Sequence, residues 1–165
     1  MNMRAGIITV SDRSSQGLRA DASGPALAKM LADACIETAR TVIVPDEKKE
    51  IKKAIEELAD RDKLDLILTT GGTGVSPRDV TPDATLEVIE RQIPGMAEVM
   101  RYESLKITPH AMISRAVAGI RGECLIINLP GSPKGAAENL AVLMPALKHA
   151  IEKIKGDPAE CAASI

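Results

Sequence analysis

Three aspartates, Asp12, Asp46 and Asp79, each stand just beyond an apolar run of the kind that forms a strand, with no His or Cys beside them. Ligands made of oxygen alone suit a hard cation such as Mg²⁺, ordinarily held by one or two carboxylates together with substrate phosphates. A glycine loop, Gly71-Gly72-Thr73-Gly74, precedes Asp79 and lets backbone approach a ligand with no Cβ in the way. Arg78 adds a cation to the same loop. Thr81-Pro82-Asp83 then reads as the N-cap, first-turn proline and first-turn acid of a helix, whose start attracts anions. Together these features fit phosphoryl or nucleotidyl transfer, in which positioning and charge neutralisation outweigh covalent chemistry. Taken singly, each aspartate has an alternative as a helix cap or turn acid, and the glycine loop has one as a plain strand-to-helix turn.

Two familiar phosphate motifs are excluded. A P-loop requires Gly-Lys-Ser/Thr, and Gly74 is followed by Val75. A dinucleotide fingerprint requires a third glycine where Pro77 stands.

The elements that must carry these residues follow from periodicity. Arg4–Val10 is a first strand running into Ser11-Asp12, and Thr38–Val44 a second, ended by Pro45-Asp46. Leu64–Leu68 begins a third, leading to Thr70 and the glycine loop. Helices are expected from Ser23, acting as a cap, over Lys48–Ala59, over roughly Pro82–Gln92, and from Pro94 to about Ile107. Lys52 with Glu56 and Lys53 with Glu57 read as i,i+4 pairs on a solvated face. Ile113–Ile120 and Glu123–Leu129 form a strand pair about Arg121-Gly122, and the apolar CLIINL run ends in Pro130-Gly131-Ser132-Pro133. A final helix spans about Gly135–Lys155, with Pro145 expected to kink or divide it. The alternation predicts a three-layer α/β sandwich whose mostly parallel central sheet carries one antiparallel strand pair. In such sheets ligands sit beyond the carboxyl ends of the strands, where the three aspartates, the glycine loop and Pro130-Gly131 all converge.

Composition narrows the remainder. The 165 residues are 45% apolar, enough for one domain, placed at 1–155 with a flexible tail at 156–165. One tyrosine, Tyr102, is the whole aromatic complement, so the core must be aliphatic and no aromatic stack can hold a substrate ring. A net charge of −2 with interspersed signs argues against nucleic acid, and no apolar run is long enough to span a membrane. The N-terminus lacks a signal-peptide layout. Cys35, Cys124 and Cys161 read as reduced thiols of a cytosolic protein. His110 and His149 read as structural or surface residues. Met96, Met100 and Leu105 are either core or an aliphatic interface.

The long motifs LTTGGTG, RDVTPDAT, IPGMAEVMRYESLKITPHAMISRAVAGIRG and LIINLPGSPKGAAENL resemble the Mog/MoaB family of molybdenum cofactor biosynthesis. That family includes the corresponding domains of gephyrin and of the plant molybdenum insertion protein. The resemblance spans nearly the whole chain, from VSDR at Val10–Arg13 to KHAIEKIKG. It implies a molybdopterin adenylyltransferase that converts ATP and molybdopterin, with Mg²⁺, to adenylyl-molybdopterin and pyrophosphate. It implies Asp46 and Asp79 as catalytic and metal-holding residues. The substrate-binding set it implies is Ser11, Asp12, Thr70, Gly71, Gly72, Thr73, Gly74, Arg78, Asp83, Pro130, Gly131 and Ser132. Homotrimers in the cytoplasm, working alongside other molybdenum cofactor biosynthesis proteins, are the family's habit. A molybdopterin-binding scaffold and a nucleotide pyrophosphatase are the competing activities within this resemblance.

Overall fold

A computed structural model describes residues 2–158. Its centre is a six-stranded sheet in the order β2-β1-β3-β6-β5-β4. The strands are β1 (Arg4–Val10), β2 (Glu37–Val44), β3 (Leu66–Thr70), β4 (Arg91–Gln92), β5 (Ala118–Arg121) and β6 (Cys124–Leu129). Strands β2, β1, β3 and β6 run parallel. The expected antiparallel pair is β5 with β6, and the short edge strand β4 pairs antiparallel with β5.

Helices cover both faces, which explains the near-continuous apolar runs of β1, β3 and β6. On one face Ile7, Leu66, Leu68, Leu125 and Ile127 meet α2 (Ser23–Asp33), α5 (Pro94–Leu105) and α6 (Pro133–Ile154). On the other, Ile8, Val10, Ile67 and Ile126 meet α3 (Lys48–Glu56), its π-helical continuation Glu57–Arg61, and α4 (Thr81–Val88). The core is aliphatic throughout, as the composition requires. Met96 and Met100 belong to it, whereas Leu105 is exposed, so of the three only Leu105 is free for an interface.

Several local expectations change. Residues 12–15 form a short helix, α1, directly after β1. Ser23 does not cap α2: the Asp21 carboxylate accepts from the Ser23 and Gly24 amides at 3.1 and 3.0 Å. Helix α4 stops at Val88, and Arg91–Gln92 turns into edge strand instead. Residues 109–113 form a 3₁₀ turn before β5. Lys52 reaches across to Glu87 of α4 at 2.7 Å, and Lys48 joins the same carboxylate, tying two helices together. Pro145 is accommodated inside one continuous helix of 22 residues. It lies on the exposed face, as does Ala141, so the carbonyl that loses its partner is accessible to water. The tail's residues 159–165, with Cys161, lie outside the described residues; Gly156 closes α6 in the left-handed conformation at φ 82°. Among the described residues no helix is long and apolar enough to cross a membrane.

Candidate active site

The order β2-β1-β3 reverses direction at β1: the chain crosses to β2 on one side, then returns to β3 on the other. Loops leaving β1 and β3 therefore diverge and open a crevice at their carboxyl ends. The aspartates and the glycine loop are gathered in that crevice.

Asp12 and Asp46 hold each other. The Asp12 amide donates to Asp46 Oδ2 at 2.8 Å and the Asp46 amide to Asp12 Oδ1 at 3.0 Å, clasping the loops after β1 and β2. Arg78 closes over Asp12 with contacts of 2.9 Å to both carboxylate oxygens, and its other amino group reaches Glu47 at 2.9 Å. Asp12 is thereby engaged on both oxygens, and the Arg78 hydrogen bonds hold its carboxyl below the usual carboxylate range. Asp46 is displaced the opposite way. Partial burial raises it first, and the Asp12 and Asp79 charges add to the rise against the stabilising Asp12 amide. Asp46 Oδ1 has no protein donor among the described residues. Asp79 Oδ2 accepts from the Ser76 amide at 2.8 Å, and its Oδ1 is likewise without a protein donor there.

The glycines make room for these carboxylates. A Cβ on Gly72 would stand 3.2 Å from Asp46 Oδ1, and one on Gly74 would stand 2.8 Å from Asp79 Oδ2. Gly71 and Gly72 also adopt φ of 106° and 66°, which side-chain-bearing residues rarely do. Below the loop runs a fully buried polar ladder. Asn128 of β6 donates to Thr69 and Thr85 at 2.9 Å, Thr85 donates to the Thr81 carbonyl, and Thr81 Oγ1 donates to the Gly71 carbonyl at 2.9 Å. With every member satisfied, such a network fixes one loop conformation. Thr81, expected as an N-cap, secures the loop instead of its own helix: its amide donates to the Gly72 carbonyl.

The loop separates two cavities. One of about 360 Å³ is lined by Ser11, Asp46, Gly71, Gly72, Gly131 and Ser132, with Arg19 at its wall. The other, about 270 Å³ and mostly apolar, is lined by Thr73, Gly74, Arg101, His110, Ser132 and Asn139. Thr70 donates to the Pro130 carbonyl at 2.6 Å and Ser23 to that of Gly131 at 2.8 Å, which seats the Pro130-Gly131 loop between the cavities. Ser11 Oγ and Ser132 Oγ accept amides of the helices they start, α1 and α6, at 3.2 and 3.1 Å. Asp83 stands apart from the carboxylate cluster, paired with Arg115 at 2.9 Å.

Every residue expected at the site is therefore near the glycine loop, but in two roles. Asp46 and Asp79 each present an oxygen that no protein group occupies, whereas Asp12, Arg78 and Asp83 are consumed in holding loops together. Glu47, Arg19, Asp21 and Arg115 escape the sequence reading. Among the described residues no three His, Cys, Asp or Glu side chains form a ready-made metal cage. Two free carboxylate oxygens, with Asp46 raised by its partial burial, do fit a cation completed by substrate oxygens, the usual binding mode of Mg²⁺.

Residues 6–149 match the family model described as "Probable molybdopterin binding domain". The chain is 42% identical over 154 residues to the molybdopterin adenylyltransferase of Helicobacter pylori, covering 92% of this chain and 88% of that protein. It is 47% identical over 163 residues to gephyrin of Dictyostelium discoideum, of which it spans only 23%. Among solved structures, the molybdopterin biosynthesis enzyme MoaB of Thermus thermophilus superimposes with a TM-score of 0.89 at 51% identity, covering 96% of this chain and 99% of that one.

Proposed function

The chain belongs to the molybdopterin-binding domain family, and on that premise we propose that it transfers AMP from ATP to molybdopterin, releasing pyrophosphate. The observation that carries this reading is the pair of carboxylates, Asp46 packed against Gly72 at the wall of one cavity and Asp79 against Gly74, each keeping one oxygen without a protein donor among the described residues. Two cavities on either side of one loop suit two substrates that must meet. In the transfer, an oxygen of the molybdopterin phosphate forms a bond to the α-phosphorus of ATP while the bond to the bridging oxygen of pyrophosphate breaks. Asp46 and Asp79 would hold Mg²⁺, which would neutralise charge on the phosphate oxygens. Arg19, at the wall of the larger cavity, meets the remaining phosphate charge, and Arg78 keeps Asp12 and Glu47 from adding theirs.

The test is to incubate the protein with Mg²⁺ and ATP, with and without molybdopterin. Adenylyl-molybdopterin and pyrophosphate forming in equal amounts, and only when the pterin is present, is the expected result. Nucleotide hydrolysis without the pterin would indicate a pyrophosphatase. Tight pterin binding with no ATP consumed would indicate a scaffold.

The raised Asp46 carboxyl makes a pH prediction. A proton on Asp46 competes with the cation, so the Mg²⁺ concentration giving half-maximal rate should rise as pH falls toward the titration of Asp46, which lies above the ordinary aspartate value. Raising Mg²⁺ should move the acid limb of the rate profile to lower pH. An acid limb indifferent to Mg²⁺ would separate Asp46 from the metal.

The protein acts in the cytoplasm as a homotrimer, alongside further molybdenum cofactor biosynthesis proteins. Support for association comes from exposed apolar residues, Val99, Tyr102 and Leu105 of α5 and Met112 beyond it. Light scattering at micromolar concentration should give three times the chain mass. A monomer mass would remove the trimer.

A further inference from the structure

We propose that Arg115, which lines neither of the two cavities, is a positioning residue that closes the base of the 74–79 loop and so sets the place of Asp79. The inference rests on the adenylyltransferase reading for its consequence in turnover, but its structural half stands without it.

Arg115 comes from the short connection between the 3₁₀ turn and β5, far along the chain from the loop it meets. Its amide donates to the Thr73 carbonyl at 2.8 Å and its Nε to the Gly74 carbonyl at 2.8 Å. Its Nη2 donates to the Asp79 carbonyl. The two amino groups together form a forked pair with Asp83, at 3.2 and 2.9 Å. One guanidinium thus joins the first and last carbonyls of the loop and anchors both to the start of α4. Between those carbonyls the chain makes an excursion from the protein, with Val75, Ser76, Pro77 and Arg78 all exposed. Hydrophobic packing supplies no hold on that excursion. Within it act a turn bond from the Asp79 amide to the Ser76 carbonyl, the return bond from the Ser76 amide to the Asp79 carboxylate, a long bond from the Arg78 amide to Ser76 Oγ, and the Arg78 bridge.

The connection that carries Arg115 is itself secured from below. Arg101 of α5 donates to the Ala116 carbonyl at 2.8 Å, and the Val117 amide donates to Asn128 at 3.2 Å. Arg115 therefore reaches the loop from a rigid base. An exposed ion pair such as Arg115 with Asp83 contributes little to stability by itself. The two carbonyl bonds are what a fork can make and a single ammonium cannot make simultaneously with the carboxylate pair.

The test uses the full chain with R115Q and R115K. In the protein without ligands, hydrogen exchange at the Ser76 and Asp79 amides should accelerate at least roughly tenfold in R115Q, while β3 and β6 amides keep wild-type rates. Adenylyl transfer should lose at least roughly thirtyfold in kcat, with half-saturating Mg²⁺ raised about fivefold and KM for molybdopterin within about twofold. R115K keeps the charge and the fold but should resemble R115Q in all readouts. Unchanged exchange in both variants would overturn the clamp. Faster exchange with unchanged kcat and Mg²⁺ dependence would overturn its link to Asp79. Recovery by R115K would reduce the role to charge alone and overturn positioning. Absence of transfer in the wild type would sink the adenylyltransferase reading and the link to turnover with it, and exchange would still decide the clamp.

Discussion

Asp46→Asn and Asp79→Asn are each expected to lower adenylyl transfer by at least roughly a hundredfold, ~2.7 kcal/mol of barrier. The substitution preserves shape and leaves an oxygen able to accept the Asp12 amide at position 46 and the Ser76 amide at position 79. What it removes is the charge on the oxygen that has no protein donor. Both clasps should therefore survive, and unfolding curves should move little. At position 46 the change also relieves an unfavourable burial of charge, so Asp46→Asn should be at least as stable as the parent at neutral pH. Molybdopterin binding should be nearly unchanged, because its phosphate and sulfurs are not attracted by carboxylates. If both residues serve one ion, the double variant should lose far less than the product of the two single losses. Wild-type turnover in both single variants would remove the metal assignment.

Gly72→Val should be damaging in two measurable ways at once. The residue sits at φ 66°, a region costing about 1–2 kcal/mol for residues with a Cβ, and more when that carbon is branched. Its Cβ would overlap Thr81 Oγ1, the hydroxyl that holds the Gly71 carbonyl, and would crowd Asp46 Oδ1. A loss of about 2 kcal/mol or more in denaturant unfolding is expected, together with transfer reduced at least roughly a hundredfold. Gly122→Ala is the control: φ there is also positive, at 54°, but nothing lies within 4 Å of the added carbon. It should show the strain alone and keep full activity. Normal binding of ATP and molybdopterin by Gly72→Val would leave the loop as a turn and no more.

Strands β1, β3 and β6 are legible because their burial on both faces leaves an unbroken apolar run, as in CLIINL, that no amphipathic surface element shows. The glycine loop is legible for the complementary reason, since glycines clustered after such a run have few other uses. Roles are harder to read than places. Asp12 and Asp46 look alike in sequence, yet one is neutralised by Arg78 and the other is not, and only the fold brings Arg78 to it. Asp21 escapes because Ser23 stands nearer the usual cap position, although the carboxylate two residues earlier reaches the same amides. Arg115 sits inside an expected strand, where alternation assigns a face and says nothing of a loop some 40 residues earlier that its fork would reach. Glu87 likewise draws Lys52 away from the local partner that helical spacing offers.

The sole aromatic ring of the described chain has an optical consequence. Tyr102 is 64% exposed on α5, with the Lys106 ammonium 4.7 Å from its centroid, and the sequence contains no Trp or Phe. In the near ultraviolet the protein is thus almost dark, while adenine and a pterin both absorb strongly there. Either ligand can be followed by its own spectrum without labelling and without protein background. The faint phenol emission, in turn, originates from one known point on the exposed face of α5, so a change in its polarisation reports whatever comes to cover that face.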